Sequence, residues 1–233
     1  MADHITTLAR ELAELPLSER YERLRIEVET LSLPERFDLL HRLGVYHHPD
    51  SFSGPAATLD ETAQLRAALP RIIAERGIET MLDIPCGDFA WMRHVDLHVD
   101  YTGADVVPEL VNANQKRYGN ETRRFVLLDA TKDRLPRVDL IHCRDLLIHL
   151  SLADCRAALE NFIASGSRFL LTSHFAARTA NDEIVSGDFR PINLTAPPFR
   201  FPPPLEVISE ESRLGEGAFT DRSMALWKLA DLG

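Results

Sequence analysis

The sequence predicts an α/β doubly wound fold, a mostly parallel sheet covered by helices on both faces, preceded by a helical cap. Three observations carry that expectation. From Glu79 onward, short apolar runs alternate with polar segments of helical character, which is how strands and crossover helices follow one another in a parallel sheet. Several of those runs stop abruptly on small or acidic residues, as in MLDIPCGD. Ahead of Glu79 the chain shows only helical periodicity.

Taken in order, Ile5, Leu8, Leu12 and Leu15, then Leu24, Val28 and Leu31, then Phe37, Leu40 and Leu43 recur at helical spacing, with Pro16 and Pro34 as punctuation. Residues 44–57, GVYHHPDSFSGPAA, have loop composition, so residues 1–57 form the expected cap and connecting loop. Residues 58–76 read as a helix ending before Gly77. The expected sheet domain spans 58–233. Its strands are TMLDI, VDYTGAD, RRFVLLD, VDLIHC, SRFLLTS, LEVIS and SMALWKL, with helices near 88–95, 107–118 and 152–164. After His174 the alternation fails. The segment DEIVSGDFRPINLTAPPFRFPPP is rich in proline and polar residues, which predicts a long ordered loop of the functional kind, and the last two runs predict a closing hairpin.

The 233 residues, 45% of them hydrophobic, allow one sizeable core, and the net charge of −10 argues against a binder of nucleic-acid backbone. Cys86, Cys143 and Cys155 are odd in number and lack paired spacing, so a reducing cytoplasm is expected, with neither disulfides nor structural zinc. No stretch reaches the length of a membrane span, and the start MADHITTLARELAEL lacks the basic and apolar pattern of a signal peptide. The expectation is a soluble protein with no nucleic-acid or membrane partner.

In an open α/β sheet ligands bind beyond the carboxyl ends of the strands. MLDI followed by PCGD fits that position, with Asp83 and Asp88 suited to a ligand bearing positive charge. A dinucleotide loop would need three glycines for the pyrophosphate, and only Gly87 is present. Asp105 closes YTGAD 22 residues after Asp83, the interval at which a second-strand acid reaches ribose hydroxyls. Asp129, closing RRFVLLDA, is placed to receive an adenine amino group.

LDIPCGD, YTGAD, LLDA and VDLIHCRDLLIHL together resemble the first four motifs of the class I S-adenosylmethionine-dependent methyltransferases, with Pro85 in place of the usual first glycine and Phe89 in place of the last. The PCGD loop, the CRD-xxxHL segment and the GD-xRPxNL loop resemble particular small bacterial members from about Ser53 to Trp227. The resemblance implies a seven-stranded Rossmann-like sheet with an antiparallel last strand, and S-adenosylmethionine as cofactor. The cofactor residues then expected are Asp83, Pro85, Cys86, Gly87, Asp88, Asp105, Asp129, Ala130 and Arg144. Trp91 and Met92 would open the following helix, and Cys86 would be a packing residue whose pKa nearby carboxylates raise.

For catalysis, His149 is the expected general base, oriented by Asp145 four residues earlier on a helical face, with His174 as the second candidate. Strand alternation turns His142 away from Ile141 and Cys143 and out of the direct site. Asp188, Arg190 and Asn193 of the long loop are expected to read acceptor hydroxyls, and Asp145 with Asp188 could ligate magnesium. The function expected is O-methylation of a small hydroxylated acceptor, a sugar or oligosaccharide leading. The alternatives are an N- or carboxyl-methyltransferase acting on a peptide or natural-product intermediate, and a non-catalytic nucleoside-binding module or nucleotide-dependent oxidoreductase. The N-terminal helices are left as either a lid or a homodimer surface.

Overall fold

Helix α1 (Ala2–Glu14) and α2 (Leu17–Thr30) lead into α3 (Leu33–Arg42) in a computed structural model that describes residues 2–15 and 17–232. Pro16 lies outside the described residues. Ser32 and Glu35 close a capping box at the start of α3, satisfying backbone donors that the first turn leaves free. The apolar stripes predicted for these helices meet in a core of their own, built on Ile5, Leu8, Leu12, Leu24, Val28, Leu39 and Leu40. The other side of α3 packs Leu33 and Phe37 against the main sheet.

The sheet comprises β1 (Thr80–Asp83), β2 (Asp100–Asp105), β3 (Arg123–Leu127), β4 (Leu140–Cys143), β5 (Phe169–Phe175), β6 (Glu206–Ser209) and β7 (Arg222–Lys228). Its seven strands run in the order β3-β2-β1-β4-β5-β7-β6. β1 to β5 pair in parallel, and β7 inserts antiparallel between β5 and β6. Strand alternation divides the core. Met81, Tyr101, Leu140 and Leu171 face helices α4 (Ala63–Arg76) and α5 (Pro108–Tyr118), while Leu82, Ala104, Ile141 and Leu170 face α6 (Leu152–Ala164). Helix α4 ends at Gly77 in the left-handed conformation, and α6 starts at Ser151, whose side chain accepts from the Asp154 N–H. Helix α4 starts at Ala63, later than the expected 58, because residues 55–62 are spent on a 3-10 turn and a Thr58–Thr62 side-chain bond.

One expected helix is missing. Only a single 3-10 turn, Met92–His94, stands where 88–95 was predicted helical. Gly87 (φ 53°) and Phe89 (φ 58°) both adopt left-handed conformations, which breaks the helical path. Phe89 is thereby aimed into a cluster with Tyr101, Tyr118 and Phe125, at centroid distances of 5.3, 5.3 and 5.1 Å. No helix joins β5 to β6 either. The long loop over 176–205 covers the sheet itself, burying Ile192 and Leu194 where a helix would have packed, and is tied down by Trp227 Nε1 donating to the Pro202 carbonyl at 2.8 Å.

Gly103 shows how tightly β2 is packed. A Cβ there would lie 2.6 Å from the Phe125 ring and 3.1 Å from Cys86 Cβ. Gly103→Ala is therefore expected to lower stability by about 1–3 kcal/mol through overpacking. Denaturant titration of G103A and of the G103A/F125L double variant checks this, the second change restoring part of the loss because it removes the clashing ring.

Candidate active site

The carboxyl ends of β1, β2 and β4 and the loops that follow them open into a cleft of about 970 Å³, its open mouth included. The sheet side contributes Asp83, Pro85, Cys86, Gly87, Asp88, Asp105, Arg144, Asp145 and His149, all expected from the sequence, together with Trp91 and His142. The opposite wall comes from α3 and the connecting loop: Phe37, His41, Tyr46 and Phe52. Sequence reasoning missed that wall. Its signal was present in a turn-rich segment, GVYHHPDSF, crowded with rings. The cap is held over the cleft by Arg36 donating to the Ser186 carbonyl at 3.1 Å and by the Tyr46 hydroxyl donating to the Gly187 carbonyl at 2.6 Å.

Asp105, buried at the end of β2, accepts from the backbone N–H groups of Gly87 (3.1 Å) and Val107 (3.0 Å), one on each oxygen. Each oxygen keeps a lone pair for a ligand hydroxyl. Burial pushes its pKa up to about 6, against the opposing effect of those N–H bonds. Asp129 and Ala130 lie just past β3 in a small adjoining cavity that shares Phe37, Pro85 and Asp105 with the main cleft. Asp129 Oδ1 is bonded to Thr131, while Oδ2 is buried with no partner. An orphaned carboxylate oxygen one strand beyond a pair of hydroxyl acceptors is the acceptor set that an adenine amino group and ribose hydroxyls require, so these residues fit S-adenosylmethionine.

Several expected residues act differently from their sequence reading. Asp83 is already engaged, accepting from the Tyr101 hydroxyl and from His142 Nδ1, the latter at 2.6 Å. His142 thus faces the cleft side, since alternation turns it from its neighbours toward Asp83. Asp88 does not present a free carboxylate. It accepts from Ser51 Oγ at 2.9 Å and from the Phe52 N–H at 2.8 Å, which clamps the connecting loop onto the strand-end loop. The glycine at 87 is required by that clamp as well, because a Cβ there would lie 2.2 Å from Ser53 Oγ. Cys86 is buried, and burial first, then Asp105 and Asp83, raise its pKa well above the ordinary thiol value.

Arg144 and Asp145 belong to a buried ionic ring closed by Glu210 and Arg222. Arg144 bonds Glu210 at 2.7 Å, Glu210 bonds Arg222 at 2.6 Å, Arg222 bonds Asp145 at 2.5 Å, and Asp145 returns to Arg144 at 3.1 Å. Burial alone would raise the Asp145 pKa, but the two guanidiniums hold it well below the usual carboxylate range. Asp145 is therefore not the orienting partner of His149. The segment forms a bend with Asp145 at φ 62° and one 3-10 turn, Leu147–His149, so the four-residue helical relation does not arise. His149 Nδ1 instead donates to the Asp188 carbonyl at 2.8 Å, and its ring lies between Tyr46 and Phe189 at centroid distances of 5.0 and 5.9 Å. Its pKa is lowered, burial outweighing the Asp188 bond and the Asp145 charge, where the sequence reading expected Asp145 to raise it.

The other acceptor-side residues fall outside the cleft. Arg190 is buried and turned inward, bonding the Leu150 carbonyl at 2.6 Å and Cys155 Sγ at 3.2 Å. Asn193 organises its own loop through the Ala176 and Arg178 carbonyls. Asp188 meets His149 through its carbonyl and borders a second cavity, behind the cleft. His174 is buried under the loop, accepting weakly from the Leu194 N–H at 3.4 Å and edged against Trp227. Among the described residues no group of three or more His, Cys, Asp or Glu could hold a metal, and Asp145 is already neutralised by arginines, so the magnesium expectation has no support. No helix among them is long and apolar enough to cross a membrane.

No family model matches the chain, and no curated protein matches it in sequence. Solved structures do match in fold. The N-methyltransferase NodS from Bradyrhizobium japonicum WM9 is similar at 17% identity, covering 72% of this chain and 96% of that one, with a TM-score of 0.53. Its complex with S-adenosyl-L-homocysteine matches at 17% identity over 72% and 84%, with a TM-score of 0.51. A 1,6-didemethyltoxoflavin-N1-methyltransferase from Burkholderia thailandensis is 16% identical over 71% of this chain and 78% of its own, with a TM-score of 0.52. The strand order and these likenesses show the fold, which is that of the class I S-adenosylmethionine-dependent methyltransferases.

Two measurements check the site. Asp105→Ala is expected to weaken S-adenosylhomocysteine binding by about 1.5–3 kcal/mol, the value of hydrogen bonds to a charged group, as read by calorimetry. Glu210→Gln leaves two buried guanidiniums sharing one carboxylate, and is expected to cost about 3–5 kcal/mol of unfolding free energy in a denaturant titration.

Proposed function

We propose that this protein is an S-adenosylmethionine-dependent O-methyltransferase acting on a small ring-bearing acceptor, with His149 as general base. One observation supports this most. The Asp188 carbonyl can only accept, so His149 Nδ1 carries the proton and Nε2 is left with a free lone pair at the cleft wall. Burial lowers the ring's pKa and so keeps it neutral at physiological pH, ready to take a hydroxyl proton.

When bound, S-adenosylmethionine supplies the methyl group. The chain's own residues do the rest. Asp105 and Asp129 hold the nucleoside, and His149 Nε2 takes the acceptor proton as the new carbon–oxygen bond forms. The cap closes the opposite side, so the two reactants are held together away from bulk water. The acceptor end is walled by Phe37, Tyr46, Phe52 and Leu146, and Arg190 and Asn193, the side chains expected to read a sugar, face away from it. These walls suit a flat, apolar-faced ring carrying a hydroxyl more than a polyol.

A nitrogen acceptor is the second reading, favoured by the activity named for NodS and for the toxoflavin enzyme. The identity of the acceptor separates the two, because amines and phenols both lose a proton to solvent as pH rises: methyl transfer to the amines of a panel and to none of its hydroxylated rings would favour nitrogen.

The test is S-adenosylhomocysteine release over a panel of phenolic, sugar and amine acceptors. His149→Ala and His149→Gln are expected to lower turnover by about 10²- to 10⁴-fold while still binding S-adenosylhomocysteine. In the wild type, protonation of His149 removes the base, so activity falls in acid; because the pKa is lowered, the fall is centred below the ordinary histidine value of about 6.5. Turnover on sugars alone would reject the flat-ring acceptor, and full activity in both variants would reject His149 as base.

A further inference from the structure

We infer that His142 reads the amino-acid end of the bound nucleoside, its Nε2 accepting a hydrogen bond from the α-ammonium group. The inference rests on the methyltransferase reading and assigns a contact within it. His142 is fully buried, with Nδ1 bonded to Asp83 Oδ1 at 2.6 Å. Asp83 also takes the Tyr101 hydroxyl, so both carboxylate oxygens accept and the imidazole proton sits on Nδ1. That leaves Nε2 as a lone pair, and it is buried with no hydrogen-bond partner. His142 lines the cleft with Cys86 and Gly87, and Trp91 packs edge-on against its ring at a centroid distance of 5.8 Å. A buried polar atom without a partner is uncommon in folded proteins, and one on a cleft wall points to a ligand atom that completes it.

The order of the strands says which ligand atom. Across the carboxyl edge the sequence of strands is β3, β2, β1, β4. Asp129 with its unpaired oxygen follows β3, and Asp105 ends β2. A nucleoside with its base at β3 and ribose at β2 must direct its remaining arm toward β1 and β4, where Asp83 and His142 stand in register. Adjacent strands lie roughly 4.8 Å apart, so three spacings separate the base from the tip of that arm.

The local charge favours the ammonium over the carboxylate of that tip. Asp83, Asp88 and Asp105 border this part of the cleft. Arg144 and Asp145 also line it, but they neutralise each other within the ring they form with Glu210 and Arg222, and Arg144 further donates to the Ala56 carbonyl. Asp83 therefore acts on the ligand through His142, fixing its tautomer, and is a positioning residue.

Calorimetric titration decides the matter, with S-adenosylhomocysteine, its analogue lacking the α-amino group, and its analogue lacking the α-carboxyl group as probes. The wild type should bind the deaminated analogue about 10- to 100-fold more weakly than S-adenosylhomocysteine, and His142→Leu should bind the two equally. Should that variant not fold, imidazole ¹⁵N spectra of the wild type serve instead: the His142 Nε2 resonance should move with S-adenosylhomocysteine and stay put with the deaminated analogue. A variant that keeps the wild-type discrimination, an Nε2 resonance indifferent to ligand, or a His142 dependence found only for the α-carboxyl group would overturn the assignment. Failure of the wild type to bind S-adenosylhomocysteine at all would overturn the methyltransferase reading with it.

Discussion

Four charged side chains, three of them buried and Asp145 reaching the cleft, hold the end of β4 in place, and most of the site depends on where that end lies. Arg144, Asp145, Glu210 and Arg222 form a closed ring in which each cation meets two anions and each anion two cations. Burial alone would lower the Arg222 pKa, yet Asp145 and Glu210 push it up, a sign that mutual attraction within the ring outweighs desolvation. The ring joins β4 to β7 and to the residue after β6, so the central strands and the closing hairpin are locked together. It also holds Asp145 at a positive φ, and that bend sends the next turn, Leu147–His149, under the long loop instead of along a helix.

Once that turn is placed, the two surfaces that meet there follow. The backbone of the long loop bonds the turn twice, Gly187 N–H to the His149 carbonyl and Arg190 N–H to the Ile148 carbonyl, at 2.8 and 2.9 Å. The same loop offers its Ser186 and Gly187 carbonyls to Arg36 and Tyr46 of the cap. The loop is thus the shared support of the proposed base and of the wall facing it. Its polar side chains are spent on the loop itself and on the Leu150–Cys155 segment beneath it, which is why Arg190 and Asn193 are absent from the cleft despite lying in the segment most suggestive of binding.

What was legible in the sequence is what periodicity and local chemistry specify. The strands, the three N-terminal helices, the missing helix after His174 and the acids at the ends of β1 and β2 all follow from side-chain patterns within a few residues. What was not legible depends on groups distant in sequence. Nothing near Asp145 indicates that Arg222 will neutralise it, and nothing near Asp88 indicates Ser51 and Phe52. The helix expected after β1 failed on two left-handed residues, one of them Phe89, a type that sequence patterns do not associate with positive φ. His142 was misjudged for a subtler reason: alternation was read correctly, but which face of β4 meets the cleft depends on the register with Asp83.

The clamp between Asp88 and the connecting loop ties the cap to the very loop that borders the proposed cofactor. The proposed cofactor and the cap then share one loop, and their binding energies are linked. Whatever factor the docked cap adds to cofactor affinity, the cofactor returns to the cap as an equal factor in favour of the closed arrangement. The aromatic wall of the acceptor pocket belongs to that cap. A single carboxylate therefore couples the two halves of the cleft: whatever steadies the strand-end loop also steadies the aromatic wall that faces it.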